Sequence, residues 1–118
     1  QRLVRRLCKS CRQPYAPAKA ERQLLGLSTQ KPKSLYRPGV CEECDFVGYQ
    51  GRIGIFEVLK IGKGIDEMIS REATCHDVNK AAREAGFKIL ADDAIRLVLA
   101  GETSLSEASR VVDLTDRF

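Results

Sequence analysis

Apolar and polar positions change rhythm once along the chain, near Ile61-Gly62-Lys63-Gly64. Downstream the spacing is helical. Ile65, Met68 and Ile69 share one face of a short helix, and Thr74 is a natural N-cap for a second, with Asp77 at its third position. Val78, Ala81, Ala82 and Ala85 form the inward stripe of that second helix, which Gly86 stops. A third helix over Ala91 to Ala100 turns Ile95, Val98 and Leu99 inward and closes at Gly101. Ser104-Leu105-Ser106-Glu107 has the form of a capping box opening a last helix, with Leu105, Ala108, Val111 and Val112 as its buried stripe. The spacing therefore predicts four short helices gathered into a small bundle.

Upstream the pattern is less regular. Leu3, Val4 and Leu7, interleaved with Arg2, Arg5 and Arg6, suit the end of an amphipathic helix running into Cys8. After Pro14-Tyr15-Ala16-Pro17 a short helix is expected from Ala18, with Ala20, Leu24 and Leu27 on one face and Gly26 near its end. Ser28 to Pro38 reads as a loop holding a brief strand at Ser34-Leu35-Tyr36-Arg37. Gly48, Gly51 and Gly54 read as a turn leading into a strand over Ile55-Phe56-Glu57-Val58-Leu59, paired with the one near Tyr36. The expected fold is α+β and mostly α: a small lobe with a short β-hairpin over residues 1–61, then the helical bundle over 62–118.

Composition changes this picture little. Over 118 residues, 43% hydrophobic and 31% charged content is that of an ordinary folded domain, which excludes intrinsic disorder. No run approaches the roughly 18 apolar residues of a membrane span. The chain opens at Gln1 in mid-element with no initiating Met, which reads as a piece of something longer.

The cysteines change it more. Cys8-Lys9-Ser10-Cys11 and Cys41-Glu42-Glu43-Cys44 are two Cys-x-x-Cys pairs separated by 29 residues. A two-residue insert lets both thiolates of a pair reach one ion, and two pairs complete a tetrahedron at about 2.3 Å per bond, leaving no position for water. Cys8, Cys11, Cys41 and Cys44 are thus the candidate ligands of one structural Zn2+ that staples the first lobe; thiolates also suit iron. A disulfide framework fits poorly with an odd fifth cysteine, and a thioredoxin-like redox pair lacks its βαβ setting. Cys75-His76 adds no ligand pair, because neighbours on a helix point apart.

Net charge is +4. Four metal-bound thiolates and one zinc ion would lower it to about +2. Arg2, Arg5, Arg6, Lys9 and Arg12 crowd the first pair, which raises a zinc-dependent nucleic-acid-binding module as an alternative. The modest charge, the 6% aromatic content and the acidic Glu42-Glu43 oppose it, and no nucleic-acid partner is expected. Catalysis has no foothold: the chain contains no Gly-x-x-x-x-Gly-Lys-Ser/Thr loop and one histidine, so no catalytic or cofactor-binding residue is assigned. Arg2, Arg5, Arg6 or Arg52 can be read as reaching a nucleotide or a neighbouring domain of a longer protein, or as surface charges in local ion pairs such as Arg52 with Glu57.

The string Gln1-Arg2-Leu3-Val4-Arg5-Arg6-Leu7-Cys8, Cys11, Leu35-Tyr36-Arg37-Pro38, Cys41, Cys44, Gly48-Tyr49 and Gly51-Arg52-x-Gly54-Ile55-x-Glu57 resembles the C-terminal region of the type II secretion ATPases. Type IV pilus assembly ATPases are close relatives. The resemblance continues through Ala81-Ala82-Arg83-Glu84-Ala85-Gly86-Phe87 and Ala100-Gly101-Glu102-Thr103-Ser104-Leu105 to Glu107 and Arg110-Val111. It implies a tetracysteine zinc subdomain and helical C-terminal bundle that follow a RecA-like core, in a hexameric cytoplasmic motor peripheral to the bacterial inner membrane. ATP and Mg2+ would bind only in that core, outside these residues. The implied partners are the core itself, neighbouring subunits and the inner-membrane secretion platform. The short insert between the cysteine pairs and the Leu-Tyr-Arg-Pro stretch favour the secretion branch over the pilus branch. One departure stands out: Phe46 occupies a position where the family commonly places Gly or another small residue, and is expected to alter the turn around the metal.

Overall fold

The computed structural model describes residues 1–26 and 34–117. Two short antiparallel ribbons and five helices follow one another as β1 (Arg2–Leu7), β2 (Gln13–Tyr15), α1 (Lys19–Leu25), β3 (Leu35–Arg37), β4 (Tyr49–Ile55), α2 (Lys63–Ser70), α3 (Cys75–Glu84), α4 (Leu90–Leu99) and α5 (Leu105–Val111). Single helical turns at Glu42–Cys44 and Leu114–Arg117 complete it. The arrangement is the expected α+β fold.

β1 pairs with β4, setting Arg2 opposite Ile55, Val4 opposite Ile53 and Arg5 opposite Arg52. The helix expected over Leu3, Val4 and Leu7 is therefore a strand. Its register against β4 shifts between Arg5 and Leu7, with the extra residue in β4, where three steps from Arg52 to Tyr49 answer two in β1. Val4 and Leu7 are both buried although strand alternation sets them on opposite faces of β1, and two buried positions three apart read as one face of a helix, which explains the misreading.

β4 lies earlier than the expected Ile55–Leu59 strand and contains the glycines read as a turn. Gly51 has φ +78°, open only to glycine without strain, and the Phe56 ring covers the space beside Gly54. Past Ile55 the chain leaves the ladder: the Phe56 N–H donates to Asp93 at 2.9 Å, and Glu57 accepts the Leu90 N–H at 2.7 Å at the start of α4. Glu57 thus caps a helix rather than pairing with Arg52. β3 pairs with β2, through Pro14 opposite Tyr36, and not with β4 as expected. The sequence assigned no strand to the Pro-Tyr segment; an edge strand tolerates a proline without a lost ladder bond.

Downstream the helices fall where the spacing put them. Thr74 Oγ1 accepts the Asp77 N–H at 3.2 Å, and Ser104 Oγ accepts the Glu107 N–H at 3.1 Å. Gly86 and Gly101, at φ +97° and +76°, end α3 and α4. On α3 only Ala82 is fully buried, and Ala85 is exposed, because α3 packs on the short α2. α1 ends on Gly26 at φ +69°; the Leu27 contact and most of the Ser28–Pro38 loop fall outside the described residues.

The main core joins Val4, Leu35 and Ile55 from the ribbons to Ala94, Val98 and Ala108 from α4 and α5. Residues on both sides of position 61 share it. Besides the Phe56–Asp93 and Glu57–Leu90 bonds, the 101–104 loop and the first turn of α5 carry polar ties across. Leu7 donates its N–H to the Glu102 carbonyl at 2.9 Å, Thr103 Oγ1 donates to the Arg5 carbonyl at 2.9 Å, and the Arg12 guanidinium donates to the Gly101 carbonyl at 2.6 Å. Arg12 also lies over the Tyr36 ring, 4.5 Å from its centre.

Candidate metal centre

Each cysteine pair opens on a tight backbone turn. Cys8 follows β1 and accepts the Arg12 N–H on its carbonyl at 3.0 Å, bending the chain so that Cys11 returns beside it. Cys41 receives the Phe46 N–H on its carbonyl at 2.9 Å, across the helical turn that ends at Cys44. The two turns meet because β1 pairs with β4, where the Cys8 N–H donates to the Gly48 carbonyl at 3.0 Å. Ser10 Oγ adds a hydrogen bond to Glu43 between the turns.

Close approach is secured by two glycines: Gly39, which the sequence did not single out, and Gly48, which it read only as part of a turn. A Cβ on Gly39 would collide with the Cys11 carbonyl, and one on Gly48 would come within 2.5 Å of Pro38 Cβ. Gly48 also has φ +87°. Its N–H donates to Cys44 Sγ at 3.2 Å, orienting that sulfur inward.

The four sulfur atoms all lie within 4.8 Å of one another. Cys8 to Cys41 and Cys11 to Cys44 are each 3.7 Å apart, and Cys41 to Cys44 is 3.6 Å. These distances are far too long for the roughly 2.05 Å of a disulfide. They match the edge, about 3.8 Å, of a tetrahedron whose centre is about 2.3 Å from each sulfur. The set is soft, four-coordinate and closed, which suits zinc without a water ligand. Cys75 is exposed and remote from it in the chain.

Thiols packed this closely cannot all ionise unaided. Burial, with hydrogen bonds from Cys41 and Cys44, pushes Cys11 up to about 12. Burial also acts against the Cys44 thiolate, but the Gly48 N–H and the hydrogen bond shared with Cys41 outweigh it and bring Cys44 down to about 6. A divalent cation would resolve the conflict by balancing the accumulating negative charge.

Phe46 lies beside this set with φ +62°, after Asp45 at φ +52°. The turn therefore needs two left-handed residues in succession, which is the physical reason a small residue suits the position. Phe46→Gly is expected to stabilise the folded chain by about 1 kcal/mol, read as a higher midpoint in denaturant titration of zinc-saturated protein.

Of the basic residues near Cys8, Arg2 donates to the neighbouring Gln1 carbonyl at 3.2 Å, and three others reach partners distant in the chain. Arg12 is held by Gly101 and Tyr36, Arg6 lies 3.5 Å from Glu102, and Arg5 donates to Glu107 at 2.9 Å while stacking on Tyr49. Glu107 is 2% exposed. It gives its carboxylate to Arg110 at 2.8 Å, to the Arg5 guanidinium, and to the Arg5 N–H at 3.1 Å. The sequence cast it as the far half of a capping box; Ser104 does its part, and Glu107 turns to the strand instead.

Hydrogen bonds from Arg110, then from Arg5, hold the Glu107 carboxyl at about 2. A carboxylate lowered on folding stabilises fully above its ordinary value, near 4.5, and the stabilisation is lost as pH falls towards 2. Glu107→Gln is expected to lower stability by about 3 kcal/mol at pH 7, a deficit that shrinks steadily below pH 4.5. Unfolding titrations of both proteins across that range check it.

Fold and site together define a small α+β domain whose two cysteine turns converge on a single four-thiol cluster. Residues 1–110 match the family described as Type II/IV secretion system protein, and the chain belongs to that family. It is 43% identical over 115 residues to "Type II secretion system protein E" of Dickeya dadantii, covering 94% of this chain and 22% of that protein. It is 40% identical over 111 residues to "Type II secretion system ATPase E" of Vibrio cholerae, with the same 94% and 22% coverage. With "Type IV pilus assembly ATPase TfpB" of Acinetobacter baylyi it shares 36% over 117 residues, 98% of this chain and 20% of that protein. The chain thus spans about a fifth of the length of the curated relatives it matches. Among the described residues, no helix is long and apolar enough to cross a membrane.

Proposed function

We propose that this chain is the zinc-stapled structural and interaction portion of a type II secretion motor ATPase that powers protein export. The observation that carries the reading is the convergence of Cys8, Cys11, Cys41 and Cys44 at the edge lengths of a zinc-thiolate tetrahedron. In this reading the metal ties the two cysteine turns together. Arg5, Arg6 and Arg12 then carry the position of those turns to the 101–104 loop and to α5. Such a lobe is a rigid element that can transmit or receive force; it performs no chemistry of its own.

In this reading ATP hydrolysis, with its Mg2+, belongs to a RecA-like core elsewhere in the longer protein; the Vibrio and Acinetobacter relatives are named as ATPases. The motor works as a hexamer at the cytoplasmic face of the inner membrane, where it meets the secretion platform. The secretion branch is favoured by the higher identity to the Dickeya and Vibrio proteins than to the pilus protein. Deleting the gene in its native host tests this choice. Loss of exported enzymes from the medium with pili intact is expected; loss of pili with normal export would overturn it. Full-length protein carrying Cys41→Ser should fail to restore export, with a zinc content near zero.

A further inference from the structure

The second cysteine turn presents a surface that folding does not explain. Val40, Phe46 and Val47 are 71%, 63% and 54% exposed, three large apolar side chains within eight residues. Single exposed apolar side chains are ordinary; a cluster of them is the mark of an interaction site. Phe46 is the most telling. It holds a left-handed backbone that an aromatic residue adopts only at a cost, yet its ring is not used for packing. A residue that strains the turn and fills no core contributes nothing to this fold, which leaves its ring available to something outside the chain.

Charge narrows the occupant. Glu42, Glu43 and Asp45 are exposed among the three apolar side chains, and no basic residue interrupts positions 40–47. A membrane surface rich in anionic lipid would be repelled by such a rim. A protein segment with apolar anchors flanked by Lys and Arg meets both features, its anchors against Phe46 and its cations against the carboxylates. We propose that this turn docks a basic, amphipathic segment of a partner protein, with Phe46 as the central anchor. Hot spots of this kind sit on aromatic residues ringed by polar groups.

The test uses the full-length protein in its native host, with the photo-crosslinking residue benzoylphenylalanine at Val40 and, as a control, at exposed Glu67 on α2. Cross-linked peptides are identified by mass spectrometry, and zinc content is measured for every variant, which separates loss of docking from loss of the metal. The expected result is a Val40 adduct with a net-positive peptide that carries apolar anchors. Its yield should fall at least fivefold in Phe46→Gly and in Glu42→Lys/Asp45→Asn, while zinc content is unchanged. Adducts with lipid, with a second copy of this chain, or with a neutral or acidic peptide would overturn the proposal. So would a yield no higher than at Glu67, or one that neither variant changes.

Discussion

Chelation of the metal, or replacement of Cys44 by Ser, is expected to unfold the cysteine turns and the ribbons that carry them. A closed tetrathiolate zinc site contributes about 10 to 16 kcal/mol of apparent binding free energy in small zinc-folded peptides, more than the total stability of an ordinary domain. The dependence is most severe at the second cysteine turn, which adds few apolar side chains to the core. Val40, Phe46 and Val47 are exposed, and β2 with β3 make a ribbon of three residues a strand. The consequence should spread beyond the turns. Arg12 reaches the Gly101 carbonyl, and Gly101 admits no side chain without meeting Tyr36 and Arg12. Hydrogen exchange measured before and after chelation should show protection lost first over residues 8–15 and 35–50. It should next weaken at 101–107, while α2 and α3 change least.

Gly39→Ala should produce the second largest effect without touching a ligand. The added Cβ overlaps the Cys11 carbonyl, a backbone atom that cannot swing aside as a side chain would. Overpacking of this kind costs about 3 kcal/mol when the backbone must move. The displacement also carries Cys11 away from the other sulfurs, so zinc affinity should fall together with stability. Gly64→Ala supplies the contrast. That residue lies within α2 with nothing within 4 Å of the added carbon, and the change should stabilise by up to about 1 kcal/mol. Competition titration with a chromophoric chelator and denaturant unfolding measure both quantities on each variant.

The difference between Gly39 and the cysteines shows where the sequence was legible. Two Cys-x-x-Cys pairs announce their chemistry because the spacing itself brings each pair to one ion. The helix starts at Thr74 and Ser104 were legible for a similar reason, since a cap acts on its own next turn. Gly39 was silent: its need for a bare Cα arises from Cys11, distant in sequence. β1 was misread because its buried Val4 and Leu7 are three apart, and β4 because Gly51, left-handed inside the strand, and Gly54, covered by the Phe56 ring, look like glycines that make turns. Glu107 is the clearest case of a long-range cause. Its local pattern is that of a capping box, but its partner Arg5 lies 102 residues away and claims the carboxylate. Phe46 was legible as a departure; only its φ explained why a small residue belongs there.

Elemental analysis of protein purified without added metal, combined with native mass spectrometry, tests the four-thiol assignment most directly. One zinc per chain, lost on replacement of any one of Cys8, Cys11, Cys41 or Cys44 and retained on replacement of Cys75, is the expected result. A folded chain with no bound metal and four titratable thiols, or with disulfides among these cysteines, would contradict it.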